Sequence, residues 1–359
     1  MDLIESAEHF RRWAAKSGAL NYTLPEEIDD GDFELSELVS DEFVKSTSDT
    51  LVQNRVNLVF VNRLHNRIVV CINRKATKAA LEALPRETRE GFPISYMKAL
   101  QPQVRIPASV ANPSGFYTQT SAGRYTCGSS ISVANEHAAG TLGCLVRNNA
   151  GEMLALSNNH VSGGCSYVEP DFPIVAPGVL DISHESIDPF TIGRHGHVSP
   201  WVSGSPSNVD VSGNFDAATF LIRDENSVSS MQRGAYDTPT VCLAPQDDMT
   251  VVKSGRTTGV TRGKIIGWTQ SPIPVSYKVP QFAGQIYFED VWIVRGENGK
   301  PFSAAGDSGS LVIAENVNGR PAAIGLLFAG AGDNSYSLIV PLNKVLGHFG
   351  VTLVGGHGV

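Results

Sequence analysis

The sequence predicts a mainly β protein: a turn-rich barrel or sandwich of roughly 230 residues, from about residue 125 onward, behind a small N-terminal α+β module. Three observations carry this. At 359 residues the chain is long enough for about two domains and a sizeable core without covalent staples. It holds 35 Gly and 20 Pro, with 42% hydrophobic and only 18% charged residues. That balance fits turns between buried strands and does not fit a helical bundle, a coiled coil or a disordered chain. Beyond about residue 125, short apolar runs alternate with Gly, Asn, Ser and Pro, and helix signals nearly vanish. No tandem repeat of fixed period is evident.

Ser6 reads as the N-cap of a helix over 6–16, with Gly18 just past its end and Phe10 and Trp13 spaced to dock one face. The acidic stretch Glu26, Glu27, Asp29, Asp30, Asp32, Glu34 and Glu37 lacks the ligand spacing of a calcium loop and reads as a solvated loop or helix edge. The β-branched runs 56–61 and 67–72 flank a polar turn, Asn62 to Asn66, as paired strands do. A helix over 76–84 stops at Pro85, and a strand follows near 94–97, which completes an α+β module over 1–110. Pro102, Pro107 and Pro113, with Ser114-Gly115 and Ser121-Ala122-Gly123, mark a linker-like stretch from about 102, its linker proper over 111–124. In the second domain, 125–359, strands are expected at 141–147, 153–157, 217–222, 251–253, 264–268, 291–294, 310–314, 322–328 and 337–341.

The net charge of −8 argues against nucleic acid or an anionic membrane as partner. It is unevenly spread: residues 1–50 carry 4 basic and 13 acidic side chains and residues 51–110 carry 10 and 3, so these blocks are expected to face each other or a shared partner. The Lys75, Lys78, Arg86 and Arg89 group reads as a solvated helix face. The first residues, Met1-Asp2-Leu3-Ile4-Glu5, form no secretory signal, and no apolar run is long enough to span a bilayer, which points to the cytoplasm. Cys71, Cys127, Cys144, Cys165 and Cys242 are odd in number and free of CxxC spacing, so they read as buried thiols. His195-Gly196-His197 lacks a third zinc ligand at matching spacing, while His137 and His184 lie in polar segments; no metal is expected.

Three segments carry chemistry. In Ala305-Gly306-Asp307-Ser308-Gly309-Ser310-Leu311-Val312, a serine sits between glycines on a tight turn leading into an apolar strand, where Oγ can be exposed and N–H groups aimed at one point. A serine hydroxyl needs a base, and the base an orienting carboxylate. His160 follows the strand-like 154–157, and Asp216 stands at the mouth of the buried strand 217–222, with Asp210 as the reserve carboxylate.

Taken together, this constellation resembles the trypsin-like serine peptidases of the chymotrypsin fold, especially bacterial-type members. The order His160, Asp216, Ser308 is theirs. Residues 253–263, Lys253-Ser254-Gly255-Arg256-Thr257-Thr258-Gly259-Val260-Thr261-Arg262-Gly263, are similar to the glycine-threonine hairpin early in the second barrel. Residues 324–330, Ile324-Gly325-Leu326-Leu327-Phe328-Ala329-Gly330, are similar to the strand that walls the specificity pocket. The resemblance covers about residues 125–355. It implies two six-stranded antiparallel β-barrels, no cofactor, and a protein or peptide substrate. His160 would be the general base and then acid, Asp216 its orienting carboxylate and Ser308 the nucleophile, with the N–H groups of Gly306 and Ser308 as oxyanion hole. Phe302 would form the pocket floor, and Phe328, Ala329 and Gly330 its wall. No carboxylate lies at that floor, so small or apolar residues are expected before the scissile bond.

Ser310 stands where many members have a second glycine. Animal digestive members pair the Asp before the serine with a terminus freed by cleavage. No such sequence precedes this domain; Arg105-Ile106 is a superficial junction spoiled by Pro107, so Asp307 is expected to find another partner, and activation by a ligand or partner is expected, with the N-terminal module regulating the enzyme or recruiting substrate. The alternatives are an inactive trypsin-like scaffold that binds without cutting, and an esterase using the same acyl chemistry.

Overall fold

A computed structural model describes residues 1–24, 33–73, 75–107, 120–182 and 190–359. The N-terminal module opens with α1 (Leu3–Lys16), capped one turn earlier than expected. Asp2 accepts a hydrogen bond from Glu5 N at 2.8 Å while the Glu5 side chain accepts one from Asp2 N, a capping box that leaves Ser6 buried inside the helix. Phe10 and Trp13 face the core as their spacing requires. Then come α2 (Leu35–Leu38), α3 (Asp41–Asn54), β1 (Val56–Asn62), β2 (Arg67–Ile72), α4 (Lys78–Glu82), β3 (Ile94–Lys98) and β4 (Pro102–Arg105). β1 and β2 pair antiparallel around the polar turn, and β3 adds parallel to β2. Of the acidic stretch, residues 26–32 lie outside the described residues. Glu34 precedes α2 and Glu37 lies within it. The two oppositely charged blocks touch through the Arg89–Asp41 ion pair, at 2.5 Å and largely exposed, a contact worth little by itself.

The first barrel is built from β5 (Tyr125–Cys127), β6 (Ser130–Val133), β7 (Gly140–Thr141), β8 (Cys144–Asn148), β9 (Met153–Ser157), the one-turn α5 (Asn159–Ser162), β10 (Pro173–Ala176), β11 (Phe190–Val198) and β12 (Ala218–Ile222). Its main sheet curls in the order β8-β9-β12-β11-β10-β6. β13 (Val228–Gln232) and β14 (Tyr236–Asp237) form a small sheet with β5.

The second barrel comprises β15 (Thr250–Gly255), β16 (Gly259–Thr269), β19 (Val291–Gly296), β20 (Leu311–Val317), β21 (Arg320–Ala331) and β22 (Ser337–Pro341). These six strands close a ring, because β15 pairs with both β16 and β20 while β19 and β21 meet through β22. A closed six-stranded barrel beside a curled one is the chymotrypsin-like double barrel that the resemblance implies. Among the elements not expected are the hairpin of β17 (Ile273–Val279) and β18 (Phe282–Phe288), and α6 (Leu342–Phe349) before β23 (Val351–Leu353), which closes on β8.

The module and second barrel share a core. Phe10, Trp13, Val59, Val61 and Ile68 pack in one cluster with Val251, Ile265, Trp268, Trp292, Phe302 and Ile324, and β1 joins β16 through Val61 and Trp268. The stretch read as linker-like begins instead as β4, which lies between β17 and β21. Residues 108–119, most of the expected linker, lie outside the described residues.

Candidate active site

Ser308 stands on a turn braced from both barrels. Gly306 and Gly309 have φ of +96° and +95°, a region closed to most side chains. A Cβ on Gly309 would lie 2.3 Å from the Thr141 carbonyl oxygen, so the first barrel presses directly on the turn. From β7, Thr141 donates its N–H to Ser308 O at 2.8 Å and its hydroxyl to Gly306 O at 2.9 Å. From the second barrel comes the partner of Asp307. Lys253 Nζ lies 3.2 Å from Asp307 Oδ2, and both side chains are fully buried. Thr257 N and Thr258 N donate to Oδ1 at 2.8 and 3.0 Å, and Thr258 Oγ1 and Ala304 N to Oδ2 at 2.7 and 2.9 Å.

Burial pulls the Lys253 ammonium below its ordinary pKa, against the opposing pull of Asp307. Burial raises the Asp307 carboxyl, but the Lys253 charge and the surrounding donors outweigh it and leave its pKa below the ordinary value. We take the pair as ionised, since five donors converge on one carboxylate.

The imidazole of His160 projects from α5, directly after β9. Its Nδ1 lies 2.6 Å from Asp216 Oδ2, and its backbone N–H donates to Asp216 Oδ1 at 3.1 Å. Asp216 stands just before β12 and is fully buried. Its Oδ2 also accepts from Tyr277 OH at 2.8 Å, a phenol of β17 packed 4.7 Å from the Trp201 ring. Burial, and then the adjacent Asp216 charge, raise the Tyr277 pKa well above the ordinary value, so the phenol stays a donor. Because a carboxylate only accepts, a neutral imidazole paired with it carries its proton on Nδ1 and leaves Nε2 as acceptor.

His160 and Ser308 line one cleft with Gly306, Ala138, Ala139, Val279 and Pro280. The serine is half-buried, with Oγ 3.4 Å from Phe328 O. Ser308 also lines a second cavity, of about 290 Å³, with Ser303, Ala304, Ala305, Leu327, Ala329 and Gly330 among others.

The aromatic pocket residues must be corrected. Phe302, expected at the floor, turns into the barrel interior, where a side chain on Gly263 would strike its ring. Phe328, expected in the wall, packs on Phe288 with centroids 5.0 Å apart and contributes only its backbone near the serine. Small residues line the cavity in their place. Ala329 and Gly330 do line it, and Gly306 lines the neighbouring cleft.

Asp210 is exposed and bonds Ser212 N rather than an imidazole. A bulge in β11 parts His195, buried, from His197, exposed. His184 lies outside the described residues. Among the described residues no group of three His, Cys, Asp or Glu is placed to hold a metal, and no helix is long and apolar enough to cross a membrane. Cys71, Cys127, Cys144 and Cys165 are buried free thiols, while Cys242 is half-buried. Sequence reasoning missed Tyr277 and the role of Lys253. The signal for Lys253 was a charged residue on an otherwise apolar strand, where only a paired ammonium is tolerated.

With this geometry in view, comparison with known proteins gives two kinds of likeness. Residues 244–341 match the family described as the Nal1 C-terminal domain. Protein NARROW LEAF 1 of Oryza sativa subsp. japonica is 27% identical over 220 residues, 56% of this chain and 36% of its own length. The chain thus spans about a third of the curated relative it matches. Among solved structures, protease A of Thermobifida fusca superposes with a TM-score of 0.43 at 15% identity, covering 64% of this chain and 98% of its own. Nocardiopsis protease gives 0.42 at 18% identity, covering 64% and 97%. A glutamic acid-specific serine protease gives 0.42 at 16%, covering 64% and 100%.

Proposed function

We propose that the protein is a serine endopeptidase. The observation that carries this reading is the Asp216–His160 hydrogen bond of 2.6 Å, with the imidazole and Ser308 facing one cleft. In this mechanism, His160 Nε2 takes the Ser308 Oγ proton as Oγ bonds to the peptide carbonyl carbon, and Asp216 stabilises the imidazolium. The oxyanion is met by the N–H groups of Gly306 and Ser308, which take no partner within the chain among the described residues. The imidazolium then gives its proton to the departing amine, leaving an acyl-enzyme. Water, deprotonated by His160, releases the acid and restores Ser308. No step calls for a metal or an organic cofactor.

Ser303, Ala304, Ala305, Ala329 and Gly330 in the cavity lining favour small or apolar residues before the scissile bond, and none of its described lining residues is acidic, which disfavours Lys or Arg. We propose a narrow protein substrate set and a cytoplasmic setting. The test is a peptide library digested with the wild type and with Ser308→Ala. Cleavage after small or apolar residues that vanishes in the variant supports the proposal, and cleavage mainly after Arg contradicts the specificity. Ester turnover with no peptide cleavage, even once the cleft is cleared of its own chain, selects the esterase, and a folded protein that turns over neither substrate and takes no fluorophosphonate label at Ser308 selects the binding scaffold.

A further inference from the structure

The cleft already contains a segment of its own chain. β4 runs parallel to β17, with Gln103, Val104 and Arg105 opposite Ser276, Tyr277 and Lys278. On its other side it is antiparallel to β21, with Pro102 and Gln103 opposite Ala331 and Gly330. β21 supplies the Phe328 carbonyl near Ser308 Oγ, so β4 lies along the edge of the site itself.

The two cavities define its path. Arg105 and Ser308 line both of them. Before Arg105, Gln103 and Val104 lie with Ser303, Ala304 and Ala329. After it, Ile106 and Pro107 lie with His160 and Gly306. A segment paired with β21 whose residues line one cavity with Ser308 and then a second with Ser308 and His160 follows the course of a bound peptide, added as a strand to a sheet edge.

We propose that Gln103–Pro107 is an internal inhibitory strand that fills the polypeptide cleft of the same chain and keeps other polypeptides out. The word inhibitory rests on the peptidase reading; the seating of the strand does not.

The segment is fitted and tethered. Val104 is only 3% exposed and packs in the core. Gly332 leaves room for Gln103, whose Nε2 would lie 1.7 Å from a Cβ there. Upstream, Gly332 N donates to Gln101 O at 3.1 Å, Tyr336 OH to Leu100 O at 3.1 Å, and Asn57 Nδ2 to Ala99 O at 2.7 Å. Residues 99–101 lead straight from β3, so the N-terminal module delivers the strand at high effective concentration.

The strand also has reasons to resist cleavage. The Arg105 side chain stays exposed, its Nε donating to Gln103 Oε1 at 2.6 Å. No acidic residue among those described lines the cavity to draw it in, and Pro107 follows close behind.

The test uses the full chain as wild type, Gln103→Pro and Val104→Ala, each checked by thermal melting, with a fluorophosphonate probe and a fluorogenic peptide. Equal labelling of all three is expected, with peptide cleavage raised tenfold or more in the folded variants. The synthetic hexapeptide Pro-Gln-Val-Arg-Ile-Pro should inhibit the variants and not the wild type. Labelled, folded variants with unchanged peptide cleavage would overturn the proposal, and Val104→Ala decides alone if Gln103→Pro does not fold. If nothing labels, the peptidase reading fails. Fluorescein-tagged hexapeptide then decides the seating: binding to a variant but not the wild type upholds it, and binding to neither overturns it.

Discussion

Lys253 and Asp307 meet at 3.2 Å with neither side chain reachable by water, one residue before Ser308. Animal digestive enzymes fill this place with a terminus freed by cleavage. Here Lys253 of β15 meets Asp307, and the pair braces the turn that carries Ser308.

Lys253→Met leaves the Asp307 carboxylate buried without its counter-charge, and losing one partner of such a pair costs about 3–5 kcal/mol. We expect a lower melting temperature and loss of fluorophosphonate labelling at temperatures where the variant is still folded. Acid should act on the same pair. The folded pKa of Asp307 is depressed, so its stabilisation is complete above the unfolded carboxylate value near 3.9 and is lost as pH falls below it through the folded value. Unfolding midpoints between pH 5 and pH 2 will follow this in the wild type and flatten in Lys253→Met/Asp307→Leu.

Tyr277→Phe removes one of the three donors on Asp216. The carboxylate keeps both bonds from His160, so the imidazole is loosened rather than lost. We expect kcat to fall roughly tenfold, about 1.4 kcal/mol, with KM little changed. Steady-state kinetics on a fluorogenic peptide separates this from a general loss of folding.

Gly309→Ala is expected to abolish labelling. The turn requires φ of +95° at this position, and the added methyl would meet the Thr141 carbonyl at 2.3 Å. Intact-protein circular dichroism with probe labelling will show a folded chain with an unreactive serine.

Burial pushes the Glu136 carboxyl up to about 7, and its Oε2 has no hydrogen-bond partner among the described residues. The folded state holds this proton while the unfolded chain releases it near 4.3. The contribution is therefore present in full below that value and is lost as pH rises through 7, on the order of 2–3 kcal/mol across the window. Glu136→Gln should flatten this slope and raise the melting temperature above pH 7.

What the sequence made legible was local. The glycines around Ser308, the position of His160 after an apolar strand and Asp216 before another follow from turn chemistry and strand ends, which neighbouring residues dictate. The same punctuation predicted only a barrel or sandwich; the double barrel came from the family resemblance. α3 was missed because few of its residues, Thr47 and Leu51 among them, are buried, so it carries little amphipathic signal. α6, with Leu342, Val345 and Leu346 buried at helical spacing, was hidden in a chain otherwise read as strands. β4 was hidden by Pro102 at its start and Pro107 just beyond its end. Pro102 is tolerated as the first residue of a strand, and what makes this stretch a strand is the seat between β17 and β21, a tertiary fact. Phe302 and Phe328 were misplaced because spacing from the serine fixes a position along the chain, not the face of the barrel to which a side chain turns.

The most direct measurement is the intact mass of the protein after reaction with diisopropyl fluorophosphate. One phosphoryl adduct on the wild type, mapped to Ser308 and absent from Ser308→Ala and His160→Ala, is the predicted result. A folded wild type that gains no mass, or an adduct that survives the loss of His160 undiminished, would contradict the catalytic assignment.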